Sequence, residues 1–208
     1  MGAELSAEFA TFEPDDALID YIKARSSAAF EPHYPDPDAA YRRRDTIELD
    51  RLEPLVALPD KVIRNAVPVG EVAGERIDQA FIGSCANGTL DDLAEAARVL
   101  AGRKVARGVR LIVTPGSQRI FTAASRAGYL QTLLDAGAVV TPATCGACFG
   151  GHMGVLGPGE TCITASTRNF KGRMGSPDAE IYMASPATVA AAAIAGHIID
   201  PAKIGAVL

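Results

Sequence analysis

Between residues 77 and 208 the sequence alternates two hydrophobic periods, and this constrains the fold more than any other feature. Short apolar runs at 77–82, 109–113, 138–141 and 161–166 read as buried strands. Segments 90–101, 117–128, 130–136 and 186–196 carry helical spacing instead. Asp91 and Asp92 sit in the first turn of one such segment, and Gly102 and Gly137 follow the ends of two of them. Strand and helix in alternation predict an α/β domain with a mostly parallel sheet. Ligands of such sheets bind outside the carboxyl ends of the strands.

Residues 1–68 read differently. Segment 15–25 has the spacing of a short amphipathic helix, with Leu18, Ile19 and Ile22 on one face. Segment 31–38 is a proline-rich loop, and Arg42, Arg43 and Arg44 form a short basic run expected to lie on a solvated face. Segment 46–49 is expected as a short strand. Pro54, Pro59 and Pro68 make 52–68 an extended crossover. The expected organisation is part of a second domain over 1–68, followed by the chemistry-bearing α/β domain over 69–208.

Composition excludes several functions. Lys plus Arg number 20 against 25 Asp plus Glu, for a net charge of −5, so no global field favours nucleic acid or an anionic membrane. Tryptophan is absent and aromatics make up 6%, which leaves little to stack on bases. The apolar stretch at 189–199 is too short to span a bilayer, and the first residues lack a basic and apolar leader pattern. Four cysteines among 208 residues do not read as a secreted disulfide framework. A reducing cytoplasm with ligating or reactive thiols is the expectation.

Three of these cysteines share a setting. Cys85 follows the strand at 77–82, while Cys145 and Cys148 follow the strand at 138–141, all on glycine-rich loops. The thiols are therefore expected at one edge of one sheet. Structural zinc favours two pairs of ligands, whereas here one pair accompanies a distant single thiol. A disulfide oxidoreductase working through Cys145 and Cys148 would need no third thiol. Three thiolates suit an iron–sulfur cube with one iron left open as a Lewis acid. Cys162 falls inside an apolar strand and reads as core. Arg168 and Arg173 leave the end of the strand at 161–166, and guanidinium forks bind carboxylates through paired hydrogen bonds.

Four blocks stand in order: F-I-G-S-C-A-N-G at 81–88, P-A-T-C-G-A-C-F-G-G-H-M-G at 142–154, R-N-F-K-G-R-M-G at 168–175 and S-P-A-T at 185–188. In this the chain resembles the aconitase superfamily, and within it the large subunits of 3-isopropylmalate dehydratase and homoaconitase. The resemblance implies an aconitase-like three-layer α/β domain. It also implies that Cys85, Cys145 and Cys148 ligate a [4Fe-4S] cluster, that Arg168 and Arg173 bind substrate carboxylates, and that Glu4 is an acidic catalytic residue. The implied reaction moves a hydroxyl between adjacent carbons by dehydration and rehydration of 3-isopropylmalate, as in leucine biosynthesis, or of a homologous 2-hydroxy acid such as homocitrate. The implied partners are a small swivel-domain subunit, which supplies a proton-abstracting serine, and a separate amino-terminal half. Ala86 and Thr167 stand where such proteins carry threonine and asparagine. The chain is expected to turn over little alone, and a non-catalytic binding or assembly module is the competing expectation.

Overall fold

The computed structural model describes residues 2, 7–61 and 64–206. The chain divides into two compact units, Met1–Leu52 and Glu53–Leu208.

The first unit has one α-helix, α1 (Asp16–Lys23), where amphipathic spacing predicts it. The Asp15 carboxylate caps it by accepting the Leu18 N–H at 2.8 Å. None of the unit's described residues is buried, and the arginine run at 42–44 is exposed. The strand expected at 46–49 does not form. That segment is exposed and leads into a short 3₁₀ turn at Leu49–Arg51. A strand needs a neighbour to take its backbone hydrogen bonds, and the described residues of this unit contain no other strand.

The second unit contains β1 (Leu55–Ala57), β2 (Ala66–Pro68), β3 (Gln79–Gly83), α2 (Ser84–Asn87), α3 (Leu90–Leu100), β4 (Arg110–Thr114), α4 (Gln118–Arg126), α5 (Tyr129–Ala136), β5 (Val139–Val140), β6 (Thr161–Thr164), β7 (Glu180–Ala184) and α6 (Pro186–Ala195). The strands form one sheet in the order β2-β1-β7-β6-β3-β4-β5. Strands β7, β6, β3, β4 and β5 run parallel, while β1 is antiparallel to both β2 and β7. The extended crossover expected over 52–68 does not form: Leu55–Ala57 and Ala66–Pro68 pair antiparallel as the β1–β2 edge, so the chain folds back on itself, with Asp60 and Arg64 at positive φ between the two strands.

Helices form where their ends are specified. In α3 the Thr89 hydroxyl accepts the Asp92 N–H, and the Asp92 carboxylate accepts the Thr89 N–H in return. In α6 Ser185 caps the start and Pro186 takes the first helical position. Ala190, Ala191, Ala192 and Ala193 are all fully buried. A helix that is apolar on every side is a buried one, and these small side chains let α6 lie close to α3 and the sheet.

Strand parity sorts residues between two faces. Ala80, Ile82, Leu111, Val113, Ile163 and Tyr182 join Leu93, Leu100, Leu133 and the α6 alanines in the main core. Phe81, Ile112, Cys162 and Ile181 face the other way and pack on Ala147, Cys148, Leu156, Met174 and Ala179. The outer cover of this second face is irregular chain from the β5–β6 and β6–β7 connections.

Candidate functional site

The chain reverses direction across the sheet at β3. From β3 it winds outward through β4 to β5, then returns to place β6 on the other side of β3. Connections leaving β3 and β6 therefore diverge at their carboxyl ends, the place where ligands of such sheets bind. Cys85 lies just beyond β3, and Arg168 lies beyond β6.

The backbone turns sharply to present Cys85. Gly83 has φ +131° and Ser84 φ +68°, the latter uncommon for a side-chain-bearing residue. Gly83 pairs with Thr114 in register, and a Cβ on Gly83 would stand 1.9 Å from the Thr114 carbonyl oxygen. Only glycine fits there, and the turn leaves Cys85 exposed.

The loop bearing the other two thiols seats on the same strand ends. It forms a 3₁₀ turn at Gly146–Phe149, and a Cβ on Gly146 would stand 2.4 Å from Thr114 Oγ1 and 2.9 Å from the Phe81 ring. Thr114 is thus flanked by Gly83 on one side and Gly146 on the other. Its buried hydroxyl also hydrogen-bonds that of Thr141 at 2.7 Å, joining the ends of β4 and β5. Cys145 is exposed, whereas Cys148 is buried beside Met174 and Phe81. Nothing in the local sequence distinguishes the two members of the pair.

Two side chains tie these loops to the end of β6 and to the connection that follows it. The Asn87 amide donates to the Ala165 carbonyl, bridging the Cys85 turn to the end of β6. Arg173 Nε donates to the Cys148 carbonyl at 2.8 Å, with its Nη2 3.6 Å from Cys148 Sγ. Arg168 is partly buried. Asn169 is almost completely buried, and its amide donates to the Leu58 and Ile181 carbonyls at 2.7 and 2.9 Å. It anchors the arginine segment to the strand edge. Neither asparagine stands out by sequence, because asparagine in a loop reads first as a turn residue.

Cys162 meets its core expectation: it is fully buried, and burial pushes its thiol up to about 12. Glu4 lies outside the described residues.

The cysteines at the edge suit a thiolate-bound cluster in kind, being free thiols on loops that meet around Thr114. Among the described residues no group of three or more His, Cys, Asp or Glu side chains is gathered so as to hold a metal ion. The loops share an edge, and the thiols have not closed on one point. A cavity of about 550 Å³ lined by Arg76, Asp78, Arg107 and His197 lies at the opposite, amino-terminal edge and contains none of the expected site residues. No described helix is long and apolar enough to cross a membrane.

A mostly parallel sheet with helices, carrying cysteines and arginines beyond its strand ends, defines an α/β domain. The chain belongs to the aconitase family: the model of that family, aconitate hydratase, matches residues 66–196. It is 62% identical over 203 residues to the 3-isopropylmalate dehydratase large subunit of Mycolicibacterium smegmatis, covering 98% of this chain and 48% of that protein. It is 48% identical over 204 residues to a probable methanogen homoaconitase large subunit of Methanosarcina mazei, covering 98% of this chain and 51% of that protein. The homoaconitase large subunit of Thermus thermophilus is 53% identical over 171 residues, covering 82% and 41%. The chain spans about half the length of the curated relatives it matches.

Proposed function

We propose that this chain is the cluster-bearing portion of a hydro-lyase that isomerises 3-isopropylmalate, or a homologous 2-hydroxy acid such as homocitrate, by dehydration and rehydration. The observation that carries the reading is the meeting of the Cys85 and Cys145–Cys148 loops around Thr114, with the first bonded to the end of β6 and the second to Arg173. Cys85, Cys145 and Cys148 would hold a [4Fe-4S] cluster, which when bound supplies a Lewis-acidic iron for a substrate hydroxyl.

The chain's own residues then bind and orient. Arg168, on the loop leaving β6, offers a planar fork to a carboxylate. Arg173 adds positive charge beside Cys148. Glu4 is the proposed acidic catalytic residue. Proton abstraction falls to a serine on a small swivel-domain subunit, and further groups near the cluster fall to the amino-terminal half of the enzyme. Catalysis needs all of these held together, so the chain alone turns over little or not at all.

Anaerobic reconstitution tests the reading directly. Iron and sulfide should be taken up in near-stoichiometric amounts to give a brown protein, and Cys145→Ser should abolish the colour. A colourless protein holding zinc instead would overturn it. A second reading, an aconitase-fold binding or assembly module, draws on the thiols not being gathered into a closed set. Adding the amino-terminal half and the small subunit separates the two, since dehydratase activity should appear only under the first.

A further inference from the structure

We infer that Arg173 is a positioning residue for the Cys145–Cys148 loop, holding Cys148 by its carbonyl and its thiol at once. The thiol half of this inference rests on the proposed cluster site; the backbone half does not. Cys148 N–H donates back to the Cys145 carbonyl at 3.1 Å, and Gly150 N–H to the Ala147 carbonyl at 3.4 Å, so the turn satisfies part of its own backbone. The Cys148 carbonyl lies at the end of that turn, where helical chain leaves acceptors unpaired. Arg173 Nε fills this place at 2.8 Å, and Nη2 of the same guanidinium reaches Cys148 Sγ at 3.6 Å.

The surrounding chain fixes the arginine. The Leu156 N–H donates to the Met174 carbonyl at 2.8 Å, and the Ser176 N–H to the Leu156 carbonyl at 2.9 Å. Gly150 lies so close to the Met174 backbone that a Cβ would stand 2.4 Å from the Met174 carbonyl carbon. The Arg173 guanidinium also lies 5.5 Å from the Phe170 ring centroid. Two segments are therefore joined through backbone on one side of Arg173, and the side chain completes the join at the cysteine. A lysine has a single nitrogen at its tip and cannot reproduce this fork. Arg173 thus spends one side of its guanidinium on the cysteine loop, which distinguishes it from a side chain wholly given to substrate.

Hydrogen exchange on the metal-free chain tests the backbone half. Arg173→Ala should speed exchange across 146–150 by roughly tenfold or more, as loss of one charge-assisted hydrogen bond implies. Amides of α3 should stay as protected as in the parent, and Arg173→Lys should give only partial rescue. Should Arg173→Ala fold poorly, Arg173→Gln replaces it, with α3 protection again as the control. The thiol half is read from the reconstituted chain by redox titration. Hydrogen bonds to cluster sulfurs set the potential, so Arg173→Ala should shift it downward and Arg173→Lys less so. Unchanged exchange across 146–150 overturns the inference. So does an unchanged potential, for the thiol contact. If the parent takes up no iron or sulfide, the proposed function fails while exchange still decides the role of Arg173.

Discussion

The two faces of the sheet are drawn from alternate residues of the same strands, yet they differ in kind. On the helical face Ala80, Ile82, Leu111, Val113 and Ile163 meet aliphatic side chains of α3, α5 and α6. On the other, the same strands present Gln79, Arg110, Thr114 and Thr164, and the cover is irregular chain. Gln79 donates to the Gly154 carbonyl at 2.9 Å and accepts from Arg110 Nε at 3.2 Å. Arg110 in turn holds Glu160 through two hydrogen bonds of 2.8 and 2.9 Å. Irregular chain has backbone groups that helices would have paired internally, and polar strand residues satisfy them. The helical face therefore holds its cover by burial, while the other adds hydrogen bonds to a smaller apolar cluster to fix the loops above it.

Substitutions on each face should separate these roles. The largest effect is expected on the helical face: Leu93 is fully buried, and Leu93→Ala should cost about 2–5 kcal/mol in urea unfolding. Exchange across 146–150 should stay unchanged in that variant; a change there would break the division between the faces. Gln79→Ala, on the loop face, should cost less, about 1–3 kcal/mol, because it strands polar groups without opening a large cavity. That variant should also speed exchange near Gly154, whose carbonyl loses its partner. The smallest effect is electrostatic. The hydrogen bond from Arg110 holds the Glu160 carboxyl below its ordinary value of 4.5. The unfolded carboxylate then takes up its proton first on acidification. The ion pair's stabilisation is present above pH 4.5 and lost as pH falls through the depressed value. With Arg110 nearly half exposed, it should amount to about 1 kcal/mol or less. Comparing Glu160→Gln with the parent between pH 7 and 3 measures it, and a gap that does not narrow on acidification would remove the pair from the account.

The strands β3, β4 and β6 were legible because each is a run of apolar, often β-branched residues bounded by breakers. Helices α3 and α6 were legible from their caps and periods. Strand β7 was missed: Ile181, Tyr182 and Met183 make a short apolar run with no alternation, directly against the Ser185–Pro186 helix start. Strands β1 and β2 have three residues each, and they join the sheet only where β1 meets β7, a partner distant in sequence. At the site, the placement of all three cysteines after strand ends was legible, although Cys85 falls within the short helix α2 and Cys148 within the 3₁₀ turn rather than on open loop. The burial of Cys148, the clamp roles of Asn87 and Asn169, and the grip of Arg173 on Cys148 were not.

What the sequence settled by itself are features decided within a turn or a strand: where helices start, which strand residues share a face, and that the thiols follow strand ends. Caps, periods and breakers act over a few residues and are visible wherever they occur. The tertiary structure decided which loops meet. Arg173 reaches a cysteine 25 residues back, Asn87 a carbonyl 78 residues ahead, and Asn169 a carbonyl 111 residues away. Those contacts follow from strand order, in which β6 returns to lie beside β3 and β7 brings β1 to its other side, and no local period in the chain encodes that order.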